Sequence, residues 1–315
     1  MAGCLPTAHV FMPTARWLTP SFLRRLEALE LSVQWVRAGQ RLGGRFPINR
    51  RGASIEFADY SVYSPGDDIR AIDWPLYGRL ERLFVKTYKE EVALSVELLV
   101  DATASMGAPV PEKFERATQV ALSLGYIGLI GRHHVRMSWI RPVETGRTTP
   151  LAGLAASRWL HHRSDIVRLA EQAERMRPGG GVELADWLRR AVIGLKIRGG
   201  QAILITDGML RPADFFRALN ALIVRNLEVK VIQIVTPQEL HPGRRFGTGA
   251  VVDIESGAVQ QLAYSPAQLE QAMAEHNELL ARFCKRRGVP FVQYRMEESL
   301  ESFVTKTLPT RGFLE

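Results

Sequence analysis

The sequence predicts an α/β fold: an open, mostly parallel sheet with helices on both faces, preceded by a small N-terminal helix and a β-rich unit. Two observations carry this. Between Leu94 and Leu308, short apolar runs alternate with stretches of helical period, and such alternation implies parallel pairing. The 315 residues, 46% hydrophobic and 23% charged, suffice for one large domain with a smaller appendage, and folding needs no help from disulfides or metals. The boundaries that follow are 1–53 for the N-terminal helix and a basic loop, 54–93 for the β-rich unit, and 94–315 for the α/β domain.

Leu18 to Val36 reads as a helix, with Thr19 as its cap, Pro20 at the first position, and Phe22, Leu26, Leu29 and Val33 at three- and four-residue steps. Ala38 to Ala53 has no periodicity and reads as a loop. In the next segment Ile55, Phe57, Tyr60, Val62 and Tyr63 suggest extended chain, Ser64-Pro65-Gly66-Asp67 a turn, and Arg82 to Lys89 a second strand. A few strands are marginal alone, so this unit is expected to bury Phe57, Tyr60, Trp74 and Phe84 against the next domain.

The α/β region then reads in order. A strand from Leu94 to Val100 ends at Asp101, a helix spans Pro111 to Gly131, and a strand follows at His134 to Ile140. Helices are expected at Ser164 to Met176 and Val182 to Ile197, and a buried strand from Ala202 to Thr206 ends at Asp207-Gly208. After a helix from Pro212 to Val224 and a strand from Glu228 to Val235, the last unit is a helix from Pro266 to Arg287 and a strand from Pro290 to Tyr294. That helix is capped by Ser265 and stopped by Gly288.

Composition narrows the setting. No charged start, apolar block and cleavage site mark a signal peptide. The longest apolar stretch, Val120 to Ile130, is interrupted and falls well short of the ~20 residues a bilayer demands. Two isolated cysteines, Cys4 and Cys284, form neither a zinc spacing nor a disulfide framework and fit a reducing cytosol. A cytoplasmic protein without a membrane span is expected. The net charge of +8 includes Arg37, Arg41, Arg45, Arg50 and Arg51, a run that could meet nucleic acid, an acidic membrane or an acidic protein, or simply be solvated. Only Phe46 is interleaved with it, and grooves for single strands usually carry several stacking aromatics, so no nucleic-acid partner is expected.

Ligands of open α/β sheets bind beyond the carboxyl ends of the strands, where strand order reverses. There Asp101, Thr103 and Ser105 stand at i, i+2 and i+4 on one loop, facing Asp207 at the end of a later strand. Hard oxygens in this pattern suit Mg²⁺ or Mn²⁺ held partly through water. The same residues can instead cap the next helix or satisfy loop amides. A hydrolase or phosphatase using Asp101 and Asp207 is the catalytic reading, but no general base accompanies them in sequence. Adjacent histidines (His133-His134, His161-His162) do not face one ligand, and the common nucleophile, zinc-protease and phosphate-loop motifs do not occur. Asp67, Asp68 and Asp73 with Arg70 read as turn and β-unit structure more readily than as an acid/base cluster.

Asp101-x-Thr103-x-Ser105, the turn Pro178-Gly179-Gly180-Gly181-Val182-Glu183-Leu184, and Ile205-Thr206-Asp207-Gly208 resemble the metal-ion-dependent adhesion site of von Willebrand factor A domains. Upstream, Ile55-Glu56-Phe57-Ala58-Asp59-Tyr60, Tyr63 to Arg70, Ile72-Asp73-Trp74 and Leu83-Phe84-Val85-Lys86 resemble the signature of the bacterial domain of unknown function fifty-eight family. Proteins of that family are von Willebrand factor A-like and are often encoded beside MoxR-type AAA+ ATPases. The resemblance runs from about Leu18 to Leu308. It implies a von Willebrand factor A-like fold and a non-enzymatic adaptor that binds protein partners, a MoxR-type ATPase among them, in assembly or maturation. It places Asp101, Thr103, Ser105 and Asp207 at metal-ligand positions and Val182 where a threonine hydroxyl normally ligates. A depleted site of this kind is expected to hold Mg²⁺ or Mn²⁺ weakly or not at all.

Overall fold

The computed structural model describes residues 18–32, 55–65, 69–90, 93–140, 154–179, 200–241, 249–252, 259–262 and 265–315. The chain divides into two compact units, residues 1–44 with 94–315, and residues 45–93. The basic run from Arg37 to Arg51, the turn from Gly180 through Val182 to Leu184, and the helix expected at 182–197 lie outside the described residues.

The larger unit opens with α1 (Pro20–Leu26), capped by the Thr19 hydroxyl, which accepts from the Phe22 amide at 3.2 Å. This helix is shorter than the apolar period predicts. The chain leaves it to pair with the carboxyl terminus: Leu31 bridges Leu314, and the Glu30 and Glu315 amides each donate to the other's carbonyl. Pairing with a distant extended segment satisfies these backbone groups as fully as another helical turn would.

The smaller unit holds β1 (Ile55–Val62) and, after an intervening helix, its antiparallel partner β2 (Phe84–Glu90). Between them lies α2 (Trp74–Leu80), which the strand-like reading of this segment missed. Its start is nevertheless a cap signal: Asp73 accepts from the Leu76 amide at 3.0 Å, with Pro75 behind it. Tyr60 donates to the other Asp73 oxygen at 2.9 Å, so Asp73 has a structural role. Tyr60 and Trp74 were expected to be buried; they stand 39% and 61% exposed, Tyr60 turning its hydroxyl to Asp73 and Trp74 opening a two-turn helix none of whose residues is buried.

The larger unit continues with β3 (Ser95–Asp101), α3 (Glu112–Ile130), β4 (His134–Ile140), β5 (Leu154–Ala156) and α4 (Ile166–Glu174). Then come β6 (Gln201–Thr206), α5 (Pro212–Ile223), β7 (Glu228–Val235), the single turn α6 (Pro237–Leu240), and the β8–β9 pair (Gly249–Val252, Val259–Leu262). It closes with α7 (Pro266–Arg286) and β10 (Phe291–Arg295), followed by short helical turns to Thr310. Ser265 and Gln268 form the capping box of α7, and Gly288 ends it at φ +66°.

Among the described residues, six strands form one sheet in the order β10-β7-β6-β3-β4-β5. All pair in parallel except the edge strand β5, which runs antiparallel to β4. Helices cover both faces. Gly125 and Gly128 bring α3 against the face carrying Leu98 and Val135, where a Cβ on Gly128 would stand 2.8 Å from the Val135 side chain. α5 and α7 cover the opposite face through Phe215, Leu219, Leu280 and Phe283, packed on Leu99, Leu204 and Val231. Strand order reverses between β3 and β6, which places a topological switch point where Asp101 and Asp207 emerge. This is the predicted open, mostly parallel α/β sheet with helices on both faces.

Candidate functional site

Asp101 is the last residue of β3, and Asp207 is the first beyond the neighbouring strand β6. Both carboxylates are about 1% exposed. A carboxylate buried this far must have its oxygens occupied by donors, and each oxygen here is. One oxygen of Asp101 accepts from the Thr103 amide (3.0 Å) and hydroxyl (2.7 Å), the other from the Thr206 hydroxyl at 2.7 Å. The Thr103 hydroxyl proton is thereby committed, so Ser105, 3.0 Å away, must be the donor of their shared bond. A relay results, Ser105 to Thr103 to Asp101.

Asp207 is held differently. One oxygen accepts from the Met209 amide at 2.9 Å, and the other accepts from the Lys113 ammonium at 2.8 Å. Lys113 lies in the first turn of α3 and is fully buried. It also donates to Glu239 at 2.6 Å. The second Glu239 oxygen takes the Thr236 amide at 2.8 Å and hydroxyl at 2.9 Å, the capping box that opens α6. Gln233 completes the floor, donating to the Asp207 carbonyl at 2.9 Å and to Asn277 at 2.8 Å.

Electrostatics follow from burial. Asp101 is pushed up to about 6, first by desolvation and then by the Asp207 charge, against the bonds from Thr206 and Thr103. Burial alone would pull the Lys113 ammonium down, but Asp207 and Glu239 outweigh it and hold it above its ordinary value. Desolvation raises Glu239 against the pull of Lys113. Lys113 therefore stays charged at neutral pH.

The four sequence-predicted residues are thus together, with Asp101, Thr103 and Ser105 in one relay and Asp207 just beyond the end of the adjacent strand. Val182 lies outside the described residues. Three participants were missed: Lys113, Glu239 and Thr206. Two carry sequence signals. Thr236-Pro237-Gln238-Glu239 is a capping-box pattern, and a lysine in the first turn of a helix opposes the macrodipole unless a carboxylate meets it.

The two carboxylates around Lys113 are spaced for an ammonium. The oxygens facing the cation of this cluster stand 2.6 and 2.8 Å from an ammonium nitrogen, charge-assisted hydrogen-bond lengths, whereas Mg²⁺ requires oxygens at about 2.0–2.1 Å. Asp101 spends both oxygens on its own loop and Thr206. Among the described residues, no cluster of three or more His, Cys, Asp or Glu side chains is arranged to hold a metal. Elsewhere, His134 and His161 meet through their Nδ1 atoms, with rings edge to face, so the contact joins one member of each sequence pair.

The family model described as "Protein of unknown function DUF58" matches residues 59–279. The chain belongs to the DUF58 family. The DUF58 chain is similar to the uncharacterized proteins Rv1480 of Mycobacterium tuberculosis and Mb1516 of Mycobacterium bovis. Each is 25% identical over 308 residues, covering 93% of this chain and 90% of the relative. Among solved structures, the conserved hypothetical protein BatB from Bacteroides thetaiotaomicron is similar at 13% identity and a TM-score of 0.41, covering 70% of this chain and 98% of that one. A von Willebrand factor type A protein from Catenulispora acidiphila is similar at 17% identity and a TM-score of 0.33, over 62% of this chain and 43% of that one. Among the described residues, no helix of the DUF58 chain is long and apolar enough to cross a membrane.

Proposed function

We propose that this DUF58 chain is a non-enzymatic, cytoplasmic adaptor that binds a protein partner through the carboxyl edge of its sheet. Its partner on this reading is a MoxR-type AAA+ ATPase, and its setting is protein assembly or maturation. One observation supports it above others: the charged centre of the edge is consumed internally, while the two loop stretches that follow it in the chain are apolar and half-buried. Ala108, Pro109 and Val110 follow the β3 loop, and Met209 and Leu210 follow Asp207. A hydrolase at this position would need a carboxylate open to substrate and free to exchange a proton. Asp101 and Asp207 are buried, and each oxygen is already bonded within the chain.

The test is binding of the purified chain to the MoxR-type ATPase encoded in the same genome, measured by calorimetry. Val110→Asp and Met209→Asp each place a charge on one of the two loop stretches and should weaken binding at least tenfold. Val224→Asp, at the far end of α5 and 79% exposed, should leave it unchanged. Equal affinities for all three would remove the edge from the interface, and no binding by the wild type would remove the partner.

A further inference from the structure

We propose that the ammonium of Lys113 is a permanent, built-in cation of this carboxyl edge, neutralising Asp207 and Glu239 from within the chain, so that the site assembles without metal. The inference concerns how the edge is held together and stands whether or not a protein partner docks there.

Its basis is geometric. Lys113 is carried in by the helix that follows the Asp101–Ser105 loop, and its side chain is about 1% exposed. A lysine buried so deeply is stable only where opposite charge meets it. Two carboxylates do so, at 2.8 Å from Asp207 and 2.6 Å from Glu239. Neither is free to turn to another ion. Asp207 is pinned through its second oxygen by the Met209 amide, and Glu239 through its second oxygen by Thr236. Both partners lie just beyond the carboxyl ends of strands, Asp207 after β6 and Glu239 after β7, so one ammonium ties α3 to two adjacent strand ends.

A divalent ion entering here would have to expel that ammonium into a buried pocket without a carboxylate partner. It would also have to draw the pinned Glu239 and Asp207 oxygens, now 2.6 and 2.8 Å from the cation, inward by about 0.5 and 0.7 Å to reach Mg²⁺–oxygen distance. Both requirements oppose exchange. Neutralisation by this ammonium also differs from neutralisation by a metal at an open edge, because a metal retains positions for a partner's oxygen, whereas Lys113 is about 1% exposed and presents none to an incoming group. Recognition at this edge therefore cannot use a metal-bridged carboxylate from the partner.

The test uses Mn²⁺ as probe, read by electron paramagnetic resonance of the free ion and by thermal denaturation. The wild type should bind no Mn²⁺ at millimolar concentration, and its midpoint should be the same in EDTA and in 5 mM MgCl₂ (about one degree or less apart). Lys113→Ala leaves two carboxylates facing a vacated cation position and should bind Mn²⁺ at least tenfold more tightly than the wild type, with a midpoint that rises on adding the ion. If that variant does not fold, Lys113→Gln, which keeps a donor in the pocket, is read by the same criteria. Stoichiometric Mn²⁺ binding by the wild type would overturn the proposal. So would a folded Lys113 variant that gains neither Mn²⁺ affinity nor ion-dependent stability.

Discussion

Replacing Thr206 by valine removes one hydroxyl from the centre of the edge and changes shape very little. That hydroxyl is fully buried, donates to Asp101 at 2.7 Å and accepts from the Gly208 amide at 3.1 Å. A hydrogen bond to an ionised carboxylate contributes about 1.5–3 kcal/mol, and an amide left without an acceptor adds a further penalty of about 1 kcal/mol. Thr206→Val should therefore lose about 3 kcal/mol at pH 7.5, which for a unit of this size lowers the midpoint by roughly 6 to 12 °C. The sign of the pH effect follows from Asp101. Its folded pKa lies at about 6, above its ordinary 3.8, so its ionisation costs the fold stability that is fully present below 3.8 and lost as pH rises through 6. Removing a donor raises that pKa further. The deficit of the variant should then shrink by about 1 kcal/mol at pH 5, where the lost bond is one to a neutral acid. Urea titrations at both pH values, followed by circular dichroism, measure it. A deficit under about 0.5 kcal/mol at pH 7.5, or one equal at both pH values, would refute the account of Asp101 as a buried carboxylate held by its own chain.

Three other perturbations probe the frame around the site. Gly200 sits at φ +101° with its missing Cβ 2.2 Å from the Ser95 carbonyl, so Gly200→Ala should cost at least about 3 kcal/mol; a melting midpoint within 2 °C of the wild type would be inconsistent with that contact. Glu97 is pushed up to about 7 by burial, against Arg136 and Ser138, so its ionisation removes stability as pH rises from 4.5 through 7. Compared with Glu97→Gln, the wild type should lose about 2 to 3 kcal/mol between pH 5 and pH 8, and parallel profiles would contradict it. Lys230, buried on β7, donates to the Ser32 and Phe313 carbonyls. Lys230→Met should speed hydrogen exchange at the Glu30, Ser32 and Glu315 amides at least tenfold while leaving β6 protected; unchanged exchange at these amides would mean that the clip does not depend on the lysine.

The sheet was legible because its strands are continuous apolar runs bounded by helix signals, and those runs fall at β3, β4, β6, β7 and β10 within a residue or so. The edge strand β5 was missed because Leu154–Ala156 is three residues long and carries no period of its own. The early helix was overextended because Leu29 and Val33 continue an apolar rhythm, while the partner that draws the chain away at Leu31, Leu314, lies nearly three hundred residues on. The same division runs through the site. Asp101, Thr103 and Ser105 could be grouped because one loop carries them, and Asp207 because strand ends converge at a switch point. Lys113 comes from a helix and Glu239 from a turn after another strand, and no local pattern joins them. Only the unfavourable placing of a lysine at a helix start hinted that a carboxylate was waiting for it.

The most direct measurement is a crystal structure of the wild-type protein soaked in MnCl₂, with anomalous diffraction recorded near the manganese edge. An edge neutralised by Lys113 shows no anomalous peak among Asp101, Thr103, Ser105 and Asp207, and keeps the Lys113 nitrogen within hydrogen-bond distance of both Asp207 and Glu239. A manganese peak bound to Asp207, with Lys113 swung away from it, would contradict the claim that this edge supplies its own cation.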